Sequence, residues 1–353
     1  MRIGDICEVY SGYALKEFND EFAGTPVIKI GNITVNGSLN LNECQHTTEK
    51  VKDKYYSQCG DIYIALSGAT TGKIGIMDSA TQYVINQRVG IVRRKNNEIP
   101  EKYIMYFLLR QTERILQEAF GCAQPNISPK QIAQYELKYN STDEMRKITV
   151  ILDSISKIIN QRQQQLEELD NLIKSRFVEM FGDINGVSNW IKKPWSEVVT
   201  IKNGKDYKKV LVEEGGYPVY GTGGEMARAS EYLCPENTII VGRKGTINNP
   251  LLVKEKFWNV DTAFGVIPNK ELHYHYFYIF CKMFDFSSLN KQAVLPSTTK
   301  ADLLKIKIAV PPIELQNEFA EFVKQVDKSK VVVQKALDEA QTLFDSLMQK
   351  YFG

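Results

Sequence analysis

Nothing in this 353-residue sequence approaches the roughly 20 consecutive apolar residues that a membrane span requires, so no membrane-embedded segment is expected. The start, MRIGDICEVYSGY, has one early Arg and no apolar stretch, and does not read as a secretory leader. Six cysteines (Cys7, Cys44, Cys59, Cys122, Cys234 and Cys281) lie far apart, with no CxxC pair and no zinc spacing. Scattered thiols of this kind suit a cytoplasmic protein that keeps them reduced. The chain has no NPPY-like methyltransferase motif, no complete phosphate-binding loop and no PD…(D/E)xK nuclease pattern. Gly (23) and Pro (12) are too few for a low-complexity or collagen-like chain, and 43% hydrophobic against 24% charged residues suits a chain with a buried core.

Charge of one sign is also scarce, since 44 basic and 42 acidic residues leave a net +2. Residues 1–142 carry 16 basic and 15 acidic groups, and residues 183–312 carry 17 and 13. Any basic face must therefore come from folding rather than from composition.

What the sequence does contain is an internal repeat. Phe181-Gly182 match Phe352-Gly353, a displacement of 171 that also carries Pro125 to Pro296, Ile132 to Leu303, Leu137 to Ile308, Ile148 to Phe319 and Leu166 to Leu337. Within it, Asp143 to Met180 reads as one long helix. Ile148, Leu152, Ile155, Ile159, Leu166, Leu169 and Ile173 advance by threes and fours, with Arg162 as a polar interruption. The second copy of this seam is Phe319, Val323, Val326, Lys330, Val333, Leu337, Ala340, Phe344 and Leu347. Neither stretch contains an internal Pro or Gly. A stripe of two residues per heptad is too narrow for the face of a thick globule, so the simplest burial packs the two helices on each other.

Each helix follows a larger mixed segment. Residues 1–142 hold the strand-like runs TPVIKIGNI, GDIYIALSG, KIGIM, YVINQRVGIV and YELKY, with a helical stretch from Glu101 to Phe120. Residues 183–312 hold YPVYGTGG, NTIIVGRKG, PLLVKE, TAFGVIP and LKIKIAV, with a helix from Leu272 to Leu289. The expected class is α+β: two mostly β, mostly antiparallel globules (1–142 and 183–312) with helical additions, alternating with long helices (143–182 and 313–353). Two similar modules with different loops suit two separate patches of one extended, regular ligand, and DNA is the obvious case. A 38-residue helix from Asp143 to Met180 is roughly 57 Å long, which spans about one to one and a half duplex turns.

At this point the wording of the sequence resembles that of the specificity subunit of a Type I restriction–modification system, over essentially the whole chain. The second half carries YPVYGTGG (Tyr217–Gly224), IIVGRKGTI (Ile239–Ile247), FWNVDTAF (Phe257–Phe264) and VPPIELQ (Val310–Gln316). The first half carries looser forms: IKIGNI (Ile28–Ile33), SGATTGKIG (Ser67–Gly75), NQRVG (Asn86–Gly90) and QPNISPK (Gln124–Lys130). It departs where Asn140-Ser141 stand for Pro311-Pro312 and Met145 for Gln316. The resemblance implies a non-catalytic, cytoplasmic reader of double-stranded DNA with two target-recognition domains spaced by an antiparallel coiled coil. It further implies two modification subunits that bind S-adenosylmethionine and methylate adenine, and restriction subunits that use ATP and Mg²⁺. This chain would bind none of those cofactors itself. The alternative class is a two-domain protein-binding scaffold held by a coiled coil.

Several residues stand out as DNA contacts. SGATTGK fails as a phosphate loop, because three residues separate Gly68 from Gly72 where four are needed and Ile74 follows Lys73. It reads instead as a strand–turn–strand presenting Thr70, Thr71 and Lys73, with VGRKG presenting Arg243 and Lys244 as its counterpart. Gln87-Arg88 and Asp261-Thr262 fall at matching points of the two copies and suit base edges. KNGKDYKK offers Lys202, Lys205, Lys208 and Lys209 around Tyr207 for phosphates, and SGYALK, ending in Lys16, is its first-half counterpart. Lys29 and Tyr220 complete the set; for each, a solvated turn is the plainer reading. HYHYFYIF (His273–Phe280) reads as core packing rather than a metal site, since no third His is near the pair and aromatics at this density on a helix usually form core.

Overall fold

The computed structural model describes residues 1–20, 23–34, 37–120, 125–138, 140–186, 189–289 and 297–353. Cys122, Gln124 and Pro296, named above, lie outside them. The chain divides into two compact units, Met1–Gln161 with Leu337–Gly353, and Arg162–Ala336. Two 40-residue helices, Thr142–Phe181 and Ile313–Phe352, each contribute to both units, and their ends are displaced by the same 171 residues as the repeat. Ser141 opens the first helix by accepting a hydrogen bond from the Glu144 amide at 3.3 Å, with Asp143 and Glu144 in the positively polarised first turn. Gly182 closes it at φ +86°, a left-handed position that glycine adopts without steric penalty.

In the first unit, four antiparallel strands lie in the order Cys7–Ser11, Val89–Arg94, Ile62–Ala65 and Ile74–Ile76. The second repeats that order with Val199–Asn203, Ala263–Pro268, Thr238–Gly242 and Leu251–Val253. Beside each lies a second sheet, three-stranded in the first unit and four-stranded in the second, containing the only parallel pairings among the described strands. Thr25–Ile28 runs parallel to Val84–Ile85, and Tyr217–Gly221 parallel to Trp258–Asn259. The strands Cys7–Ser11 and Val199–Asn203 were not expected, because CEVYS and VTIKN carry polar residues at alternate or adjoining places. Among the described residues of the YELKY run, 135–138, the one strand-type pairing is an isolated bridge of Glu136 to Arg2. The expected helix 101–120 is two helices, Glu101–Arg110 and Thr112–Ala119, that meet at Gln111. The expected helix 272–289 stops at Met283, because Phe284 turns to extended backbone and Asp285 starts a short 3₁₀ turn.

The seams are buried where the long helices enter a globule. In the first unit Met145, Ile148 and Leu152 pack with Met348 and Phe352 against Ile62, Ile64, Val92, Tyr103 and Phe107. In the second, Ile173, Phe177 and Phe181 pack with Phe319, Val323 and Val326 against Ile239, Val241, Val266, Tyr276 and Phe277. The start of one helix thus meets the end of the other within each unit, the arrangement of an antiparallel coiled coil. Ile155, Ile159 and Val333 are buried, and Leu166, Leu169, Leu337, Ala340, Phe344 and Leu347 half-buried. Lys330 interrupts the apolar stripe because it pairs with Asp170 of the other helix at 2.6 Å. Phe177 stacks on Tyr276 at 5.2 Å and meets Phe319 edge-on at 5.6 Å. The aromatics of His273–Phe280 are therefore mostly core, and His273 Nδ1 accepts from the His275 amide at the helix start.

The two helix entries differ in one buried residue. Gln316, fully enclosed, accepts from the His273 amide at 2.8 Å and donates to the carbonyls of Glu271 and Pro311, each at 2.9 Å. Met145, its counterpart, is equally buried but purely apolar. We expect Phe177→Ala to lower stability by about 3–5 kcal/mol in chemical denaturation, through the cavity left among the rings of Phe181, Tyr276 and Phe319. Gln316→Leu, which leaves the His273 amide without its partner, should cost about 1–3 kcal/mol, whereas Met145→Leu should cost under about 1.5 kcal/mol.

Candidate nucleic-acid interface

Antiparallel pairing brings the C-terminal ends of two strands and the N-terminal ends of their neighbours to one edge of each main sheet. In the second unit the amides of Gly204 and Arg243 donate to the carbonyls of Ala263 and Thr262, at 3.2 and 2.9 Å. Lys205 N–H donates to Asn259 O at 3.0 Å, and Val260 N–H to Tyr220 O at 3.1 Å. Lys205, Tyr220, Arg243, Lys244, Asp261 and Thr262 are thereby gathered at one sheet end. The first unit repeats the pattern. Gly12 and Leu66 amides donate to Val89 and Arg88 carbonyls, both at 2.9 Å, and Asn86 N–H to Ile28 O at 3.0 Å. Lys29, Gln87, Arg88 and the turn 67–73 share that end, with Lys16 on the segment that continues from Gly12.

These matching hydrogen bonds make Gln87-Arg88 and Asp261-Thr262 structural equivalents, and all four side chains are exposed. They also make Gly12 and Gly204 equivalents, so SGYALK and KNGKDYKK occupy the same place. A Cβ at either glycine would collide with a neighbouring carbonyl, that of Ile85 or of Val260. Trp258 Nε1 donates to the Lys205 carbonyl at 2.9 Å, and Tyr207 is half-buried beside Val219 and Val260. This pinning leaves Lys202, Lys205, Lys208 and Lys209 exposed around a fixed backbone. Neither the Trp258 anchor nor the glycine fit announces itself in the sequence, because each depends on a partner more than 50 positions away.

The turns behave differently from expectation. SGATTGK is a turn closed on itself: Gly72 N–H donates to Ala65 O at 2.9 Å and Thr71 Oγ1 to Gly68 O at 2.7 Å. Thr71 is buried and turned inward, so it does not offer itself to a ligand. The Thr70 hydroxyl is enclosed without a hydrogen-bond partner, and Lys73 is half-buried. Lys244 bridges Ser297 while Ser67 bridges Asn126, so Ser67, not Lys73, is the equivalent of Lys244. The two lysines lie on opposite arms of corresponding turns, because strand register rather than motif spacing fixes the correspondence. Thr298 seals the second turn, its Oγ1 donating to Gly242 O at 2.7 Å and its amide to Arg243 O at 3.0 Å; Ile127 N–H donates to Leu66 O in the first.

Of the remaining candidates, Arg243 is exposed and reaches Asp261 O at 3.4 Å. Lys29 is already engaged: its Nζ donates to Gln45 Oε1 and lies 3.5 Å from the Phe18 ring centre, and burial lowers its pKa. Tyr220 is half-buried against Phe257, and burial raises its phenol pKa. Among the described residues no three His, Cys, Asp or Glu side chains converge as a metal site would need, and no helix is long and apolar enough to cross a membrane. What each sheet end can offer is cations, amides and hydroxyls on a rigid backbone, chemistry for contacting phosphates and base edges.

A protein of Methanocaldococcus jannaschii named as the type I restriction enzyme MjaX specificity subunit is 22% identical, over 94% of this chain and 89% of its own length. The crystal structure of the S subunit of a Type-I restriction–modification system from M. genitalium superposes with a TM-score of 0.62 at 19% identity, covering 100% of this chain and 95% of that one. A structure titled for complex assembly and conformational transition of the type I R-M system gives a TM-score of 0.54 at 14% identity, covering 100% and 96%. The family described as Type I restriction modification DNA specificity domain matches residues 1–168 and 187–340, and with both halves so matched the chain belongs to that family.

Proposed function

We propose that the two sheet ends each read one half of an interrupted DNA target, and that the chain thereby directs an adenine methyltransferase to that target. As a Type I specificity subunit the chain is a non-catalytic DNA-recognition subunit of a larger complex. One observation carries the finer reading. An identical hydrogen-bonded framework presents different side chains at equivalent places, Gln87-Arg88 in one unit and Asp261-Thr262 in the other. Divergent side chains on a common backbone suit two different half-sites better than a palindrome. Exposed Lys16, Lys202, Lys205, Lys208 and Lys209 would hold phosphates, and Arg88, Gln87, Arg243 and Lys244 would reach base edges.

The long helices would carry two modification subunits that bind S-adenosylmethionine, in the cytoplasm, with restriction subunits using ATP and Mg²⁺ joining them. This chain then supplies the position of the reaction and the partners its chemistry.

Selection of bound sequences from randomised duplexes tests the division of labour. Exchanging residues 183–312 for those of another family member should change one half of the selected motif and leave the other intact; change in both halves, or in neither, would contradict two independent readers. Lys244→Ala should cost about 1–3 kcal/mol of binding and relax preference in the second half-site alone. Replacing Lys208 and Lys209 together by Gln should lower the slope of log affinity against log salt by about two, without altering the motif.

A further inference from the structure

We infer that the second unit holds a binding site for a small organic phosphate of about nucleotide size, in the groove between the helix Tyr274–Met283 and the two long helices. This inference is independent of the DNA reading. The groove encloses about 410 Å³ and is lined entirely by residues of that unit. Its wall is apolar, formed by Ile173, Leu252, Ile279 and Val323. Around it stand Lys174, Lys254, Lys282 and Lys330, against only Asp170 and Asp327. Asp170 is matched by Lys330 at 2.6 Å and Asp327 faces Lys254 at 4.0 Å, so the charges of Lys174 and Lys282 are left in excess.

His275 is the observation that turns a basic rim into a site. It is 2% exposed, lines the groove, and neither ring nitrogen has a hydrogen-bond partner. A buried imidazole without partners is costly unless something satisfies it. Burial, aided by His273 and Lys254, holds its pKa at about 4, so the ring is neutral and offers one donor and one acceptor. His275, Tyr278, Ile279 and Lys282 share one face of their helix, which places donor, apolar wall and cation along the same groove.

The internal repeat supplies a control. An equivalent groove of about 550 Å³ exists in the first unit, lined by the corresponding turns of the corresponding helices. Where the second unit has Lys174, Lys282 and Lys330, the first has Asp345, Leu109 and Ile159, and Lys102 takes the place of His275. The fold therefore does not need these cations or the buried imidazole; the second unit alone carries them. An excess of two positive charges suits a phosphoryl dianion. A volume well above that of a bare phosphate, beside an apolar wall, calls for an organic portion.

The chain contains three histidines, His46, His273 and His275, so ring-nitrogen NMR of histidine-labelled full-length protein isolates the one that matters. Loss of single resonances in His46→Gln and His273→Gln identifies the other two. Adding adenosine monophosphate should shift the His275 ring signals saturably, and inorganic phosphate should do so at least about tenfold more weakly. Lys174→Gln with Lys282→Gln, both on exposed side chains, should weaken the nucleotide by about tenfold or more. The inference is overturned by an unmoved His275 at about 10 mM nucleotide, by undiminished affinity in the double variant, or by phosphate binding as tightly as the nucleotide.

Discussion

The burial of two narrow apolar stripes governs this structure. Neither long helix can cover its own seam, and each seam is completed by the other helix together with the globule it enters. Ile148 and Leu152 share a core with Phe352, as Phe177 and Phe181 share one with Phe319. The helix pair is therefore part of each hydrophobic core rather than a strut attached to it. Direct tertiary burial of this kind, and not intrinsic propensity, is what makes 40-residue helices stable.

The same constraint bears on the sheet ends that present Gln87-Arg88 and Asp261-Thr262. With strand residues such as Ile62, Val92, Ile239 and Val266 buried against the helices, strand order and register are fixed, and the ends at Gly12, Arg88 and Leu66, or Gly204, Thr262 and Arg243, are held by backbone hydrogen bonds, with Thr298 Oγ1 sealing the second turn. Side chains there can vary without disturbing the fold. The first unit accordingly shows Gln87, Arg88 and Ser67 where the second shows Asp261, Thr262 and Lys244. A recognition protein needs that separation, because changing what is read must not change what folds.

The long helices were legible in the sequence because heptad spacing and the absence of Gly and Pro are local signals. Ile62–Ala65 and Thr238–Gly242 were legible as continuous apolar runs, buried on both faces. Cys7–Ser11 and Val199–Asn203 were not, since polar side chains on an edge strand leave no such run. Among the candidate site residues, exposed lysines beside glycine turns were readable as surface cations. The inward turn of Thr71 toward Gly68 and the capture of Lys29 by Gln45 and Phe18 depend on loop closure and on partners that sequence spacing does not reveal. The mismatch of Lys73 with Lys244 has the same origin: motif resemblance aligned two lysines that strand register places on opposite arms of corresponding turns.

The central claim is that this chain supplies the sequence address of an adenine methyltransferase through two independent readers. It is tested most directly by mapping N6-methyladenine at base resolution in cells that express the partner methyltransferase with and without this chain. The account predicts a split, asymmetric motif with a fixed gap that appears only when the chain is present. Assembly of the complex without any such motif would contradict it.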